Sequence, residues 1–313
     1  MLNTFMPKML LLVACSASIH VSMCKADDRE LFTVTTNELP DEIPTLVVWQ
    51  EHNKKKGTWY TNISASFPNV PDFTCDLWCY ESPGIEFESA EQLEDGAVRL
   101  RHSWADHDAT IVTTATPSVG SVEVVARLDP VSKVNGEEEE DYPALNICWQ
   151  LRRAPAFASE PEPYPEFVRR CFVFTQRGQT FLLDTERRPI PVKPVTHKRN
   201  NPPWVQMYLP VDADDKRAGP DNWADYSPDR FTVPVIGAVS RDRKYLTAIG
   251  SGSQSMVCQA WHDCMHNNAR WLPADDTQGK EWRIVVYAIE NDPEELIRRF
   301  RADFPDIEPW QKQ

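Results

Sequence analysis

The chain has 313 residues, 41% of them hydrophobic, enough for one large β domain or two small ones. Its formal net charge of −14 at pH 7 repels nucleic-acid phosphates and anionic lipid, which excludes both as natural partners; the ordinary role of such a surface is to keep a protein in solution.

The first 26 residues hold Lys8, an apolar stretch from Met9 to Met23, and Cys24 and Ala26 before Asp27, with no acidic residue. This is the layout of a secretory signal peptide cleaved after Ala26, and it predicts a secreted or periplasmic protein. The stretch is broken by serines and His20 and is too short to span a bilayer, which takes about 20 apolar residues. A competing reading, "LVAC" at Leu12–Cys15 as a lipoprotein box with lipid on Cys15, would leave seven cysteines, whereas cleavage after Ala26 leaves an even six.

From there the chain reads as short β-branched and aromatic runs. They include "TLVVWQ" at 45–50, "TWYTNISASF" at 58–67, "IEFESAEQL" at 85–93 and "AVRLRHSW" at 97–104, with Asp95-Gly96 marking a hairpin between the last two. "ALNICWQL", "RCFVFT", "FTVPVIGAVS", "KYLTAIG", "SMVCQAW" and "EWRIVVYAI" continue the series. "GSGS" at 250–253 reads as a flexible turn. Such runs, separated by Gly, Pro, Asn and Asp, predict a mainly β fold: an antiparallel β-sandwich, up to the size of a supersandwich, as a single domain over 27–313. One C-terminal helix is expected. Asp292 caps it, Pro293 lies in its first turn, Glu295 completes a capping box, and Leu296, Ile297, Phe300 and Phe304 form its apolar stripe up to Pro305.

Three segments read as loops: the acidic "NGEEEEDYP" at 135–143, the proline-rich and extended "APAFASEPEPYPEF" at 154–167, and a long stretch from about 187 to 230. The last contains Asp212, Asp214, Asp215, Asp221, Asp225 and Asp229. Calcium there is the weaker reading, since no D-x-[DN]-x-[DN]-G pattern is present, and no cofactor is otherwise expected.

The six cysteines of the mature chain are Cys75, Cys79, Cys148, Cys171, Cys258 and Cys264. In an oxidising compartment their local spacing predicts three disulfides, Cys75–Cys79, Cys148–Cys171 and Cys258–Cys264. The spacings C-x3-C and C-x3-H-x-C-x-H match no usual zinc pattern, so no metal site is expected.

Candidate chemistry gathers around histidine. In "RHSWADHDAT", Val98, Leu100, His102 and Trp104 share a strand face and His107 lies in the following turn. Either histidine, beside Asp106 and Asp108, suits a general base, against the plainer reading of His102 as a core residue. In "QAWHDCMHNN", His262, Asp263 and His266 lie past a strand end fastened by cysteines, with the asparagines making a turn; the functional reading brings them to the mouth of a cleft with His102 and His107. In "ALNICWQL", strand alternation puts Asn146, Cys148 and Gln150 on one face and Leu145, Ile147, Trp149 and Leu151 on the other. Amides on a sheet face, with Trp104, Trp204, Trp223 and Trp261 at strand ends or in polar loops, suit a polysaccharide or other glycan: amides bond hydroxyls and rings cover apolar sugar faces.

No G-x-S-x-G, P-loop or G-x-G-x-x-G motif is present. The expectation is an exported protein that binds or processes carbohydrate, resembling a polysaccharide lyase or hydrolase in using histidine. The alternative is a non-catalytic envelope or matrix protein whose cysteines and histidines are structural.

Overall fold

The computed structural model describes residues 23–26, 29–32, 39–53, 58–79, 84–105, 108–129, 148–158, 164–186, 206–211, 225–252, 254–259, 263–269, 272–273 and 280–307. They form two sheets packed face to face, as the alternating runs predict. The first sheet contains β1 (Met23–Ala26), β2 (Arg29–Phe32), β3 (Thr45–Asn53), β4 (Thr58–Ser66) and β5 (Thr74–Cys79), in that spatial order. It continues through β10 (Cys148–Gln150), β18 (Cys264–Ala269), β17 (Gln254–Gln259), β13 (Gln206–Tyr208) and β14 (Asp225–Tyr226). The second runs β12 (Gly178–Phe181), β11 (Cys171–Thr175), β15 (Val233–Val239), β16 (Tyr245–Ser251), β20 (Lys280–Glu290), β9 (Ser121–Asp129), β8 (Ala109–Ser118), β7 (Val98–Trp104) and β6 (Ile85–Gln92). The short β19 (Leu272–Pro273) also pairs with β20. Pairing is antiparallel except between β13 and β14.

Period-two alternation builds the core. Leu46, Val48, Ile63 and Leu77 of the first sheet meet Leu100, Ile111, Val124 and Ile284 of the second, all essentially without solvent contact. The predicted Asp95-Gly96 hairpin joins β6 to β7, with Gly96 at φ +80°, a conformation that suits glycine.

The second sheet is covered on its other face as well, by the predicted helix, α2 (Pro293–Asp303). The Asp292 carboxylate accepts from the backbone N–H groups of Glu294 and Glu295 at 3.0 Å each, as a cap should. Glu295 does not complete the box; its carboxylate instead accepts from Arg298 and Arg299 at 2.6–2.7 Å. Leu296, Phe300 and Phe304 enter a second core with Phe172, Val235, Val285 and Tyr287.

Helix docking explains the glycines of "GSGS". Gly250 and Ser251 lie within β16, not in a turn. A Cβ on Gly250 would come within 2.9 Å of the Phe300 ring, and one on Gly252 within 2.7 Å of Phe304.

Two loop expectations are corrected. Part of the proline-rich segment is compact: Ala154 to Ala158 form a tight turn around the buried Phe157, and α1 (Tyr164–Arg170) follows. The Arg170 guanidinium donates to the carbonyl oxygens of Phe157, Ala158 and Val239 at 2.8–3.1 Å, so one buried cation ties this turn to the end of β15. The stretch 187–230 contains β13 and β14, and Tyr208 is wholly buried with its hydroxyl 2.8 Å from that of Thr185. The acidic segment 135–143 lies outside the described residues. Among the described residues no helix is long and apolar enough to cross a membrane.

Phe300 carries the docking of α2, so Phe300→Ala should lower unfolding free energy by about 3–5 kcal/mol. The exposed Glu294→Ala should change it by less than about 0.5 kcal/mol. Chemical denaturation of the two variants checks this.

Candidate functional site: a cysteine–histidine cluster on the outer face of the first sheet

The segment "CMHNNA" is strand β18, where a turn was expected. Met265 and Asn267 point inward. Met265 joins the core, and the Asn267 amide donates to the carbonyl oxygens of Pro234 (2.9 Å) and Ile249 (3.3 Å) across the sandwich. A polar residue at an inward position hides the alternation, which is why this strand reads as a turn. Cys264 and His266 therefore point outward.

Pairing supplies the rest. His266 lies directly opposite Cys148 on one side and Cys258 on the other, and Gln150 lies opposite Cys264. Cys148 and Gln150 face away from the core while Trp149 and Leu151 face into it, as alternation predicts. The Sγ atoms of Cys148 and Cys264 lie 3.5 Å and 3.4 Å from His266 Nε2. The three atoms fall within 4.8 Å of one another. Gln150 Nε2 donates to Cys148 Sγ at 2.6 Å. Cys264 and Gln150 are buried, Cys148 nearly so, and His266 is half-buried.

Burial pushes the Cys264 thiol well above its ordinary pKa, and its hydrogen bond and charge coupling to Cys148, together with Cys258, push the same way; Arg152 opposes them. Burial, with the neighbouring Cys148, raises Cys258 to about 12. Without a cation to compensate, these thiols stay protonated.

Cys75, Cys79, Cys148, Cys171, Cys258 and Cys264 are free thiols in this structure, and none of the three expected pairs stands at disulfide distance. Cys75 and Cys79 lie four residues apart on β5, about 13 Å along an extended strand, beyond the reach of a disulfide. Cys148 faces outward from the first sheet, whereas Cys171 lies in the core against the second, because the phenylalanines of "RCFVFT" face α2 and leave Cys171 the inter-sheet side. Cys258 and Cys264 share a face but sit two register positions out of step.

The expected histidine cleft is not assembled from the described members. His102 is 2% exposed inside the sandwich, its Nε2 3.0 Å from Thr61 Oγ1 and its ring edge-on to Phe87. Burial lowers its pKa to about 4. It is a core histidine on the inner side, and His266 is on the outer face of the opposite sheet. Trp104 is buried for the same reason of alternation. Asp263 is buried and engaged, its carbonyl accepting from Leu151 N–H at 2.8 Å. His107, His262, Asn146, Trp204, Trp223 and Trp261 lie outside the described residues, as do Asp212, Asp214, Asp215 and Asp221. Asp225 contributes backbone to β14. Asp229 is paired with Arg177 at 3.0 Å and accepts from Glu186 N–H.

Beside the cluster runs a polar strip. Trp49 Nε1 donates to Ser64 Oγ (2.7 Å), Ser64 Oγ to Asp76 Oδ1 (2.5 Å), and Arg153 Nη1 reaches both at 3.1 Å. Tyr60 stacks on Trp78 with centroids 6.1 Å apart, and the Arg152 guanidinium lies 5.3 Å from the Trp78 ring centroid. Farther along β4 and β5, Ser66 and Thr74 line a cleft of about 470 Å³ with Thr45 and Asp72.

No protein family matches the chain, and no curated protein is significantly similar to it. Chemistry must therefore be argued from the cluster itself.

His102 makes a separate prediction. Its folded pKa of about 4 lies below the ordinary 6.5, so the unfolded chain binds the extra proton between those values. Stability is full above pH 6.5 and is lost as pH falls toward 4, by up to about 3 kcal/mol. His102→Gln should flatten that part of a stability-against-pH curve measured by urea denaturation.

Proposed function

We propose that the protein is a non-catalytic β-sandwich protein that binds a zinc-class metal ion through Cys148, Cys264 and His266. The observation that carries this reading is the spacing of the donor atoms. In tetrahedral zinc with Zn–S near 2.3 Å and Zn–N near 2.05 Å, a sulfur and a nitrogen ligand stand about 3.6 Å apart. The two sulfur–nitrogen separations here are 3.5 and 3.4 Å. Thiolate and imidazole together favour zinc over calcium or magnesium, which take oxygen. Gln150 supports the site from behind: its N–H stabilises a thiolate at Cys148, the usual role of a neighbour that orients a ligand. The leader-like first 26 residues support export.

Carbohydrate binding is the second reading. It is supported by the strip of Asp76, Trp78, Arg152 and Arg153, which presents a carboxylate, two guanidinium groups and an aromatic ring beside the cleft at Ser66 and Thr74. Binding to a panel of acidic and neutral polysaccharides, compared between the native protein and Trp78→Ala, tests it. Equal or absent binding in both would remove it.

For the metal, protein purified under reducing conditions and loaded with zinc should hold one ion per chain by elemental analysis. Cys148→Ser, Cys264→Ser and His266→Ala should each weaken affinity by more than about 100-fold, since outer neighbours alone cost 10- to 100-fold. Folded protein with reduced thiols that retains no zinc would overturn the proposal.

A further inference from the structure

The three-residue cluster leaves one tetrahedral position open, and the surroundings decide what fills it. A catalytic zinc keeps water there; a structural zinc is closed by a fourth protein ligand. Cys264 and Cys258 are 0% and 2% exposed and Cys148 is 7% exposed, so the sulfur side of the cluster is shut off from solvent. Cys258 is the residue of β17 directly opposite His266 and lies on the same outward face; on its far side it is opposite Met207 of β13. Cys148, His266 and Cys258 thus form one row across β10, β18 and β17, with Cys264 two residues along from His266.

We propose, resting on the zinc reading above, that Cys258 is the fourth ligand, so that the site is a closed Cys3His centre that ties three adjacent strands together. Cys258 stands outside the three donor atoms that fall within 4.8 Å of one another, so its side chain must turn toward them from its place opposite His266. Binding is a balanced exchange: Zn2+ displaces one proton from each of three thiols to solvent and forms three Zn–S bonds and one bond to His266 nitrogen. The three thiolates leave the centre with one net negative charge. Arg152, whose guanidinium lies over the Trp78 ring that packs against Cys148 and Cys264, supplies positive charge beside it. Gln150 has a second role: its Oε1 is buried without a hydrogen-bond partner while its N–H is committed to Cys148, so the amide is held in place by the sulfur.

Cobalt(II) reports the ligand set directly, because each cobalt–thiolate bond adds charge-transfer absorbance. In the full-length reduced protein, Cys258→Ser and Cys258→Ala should retain tetrahedral cobalt but lose about one third of the charge-transfer intensity. The slope of log affinity against pH, measured below the thiol pKa values, should fall from about 3 to about 2 as one fewer proton is released. Cys171→Ala, a core thiol on the other sheet, should change neither. A native-like intensity and slope in both Cys258 variants would overturn the fourth-ligand assignment while leaving the three-residue site standing. No charge-transfer band in the unaltered protein would overturn both.

Discussion

The first sheet depends on the pairing of β10. Among the described residues, Cys148 to Gln150 link β1–β5 to the strands contributed by the C-terminal half of the chain. Its side chains reinforce that joint on both faces. Trp149 does so on the inner side, wholly buried among core residues. On the outer side Cys148 and Gln150 lie against β18 and β5. The cysteine–histidine cluster is therefore placed at the joint between the two halves of the sheet, and a metal bound there would tie them together.

The same parity of the strands separates two histidines that resemble each other in sequence. His102 follows Val98 and Leu100 on an inward face, and desolvation makes its charged form so costly that it stays neutral through the physiological range. His266 follows Cys264 on an outward face and finds sulfur rather than hydrocarbon. A neutral imidazole sealed from water and from substrate serves packing. One that is half-open, with two thiols at 3.4–3.5 Å, has the donor set that the proposed metal site uses.

The layers, the Asp95-Gly96 hairpin and the capped C-terminal helix were legible because each rests on a local pattern: alternation, a turn dipeptide, a 3.6-residue stripe. The face assignment of Trp149 against Cys148 was legible for the same reason. What alternation does not say is which face is the core. The phenylalanines of β11 face α2, so Cys171 takes the inter-sheet core, on the other sheet from Cys148. Strand β18 was illegible because Asn267 sits inward and bonds carbonyls of the other sheet. The site was illegible because its members come from strands more than a hundred residues apart in sequence and meet only through pairing.

Cysteine arithmetic also changes meaning once the faces are known. Six thiols suggested three disulfides, but the sandwich divides them three and three. Cys75, Cys79 and Cys171 are core residues with strongly raised pKa values, inert small hydrophobes in effect. Cys148, Cys258 and Cys264 share the outer face, and three is an odd number: a disulfide between any two leaves the third as a thiol. A tetrahedral cation uses all three sulfurs and the imidazole and leaves no group over. The parity that argued for disulfides in the whole chain thus argues for a metal on this face.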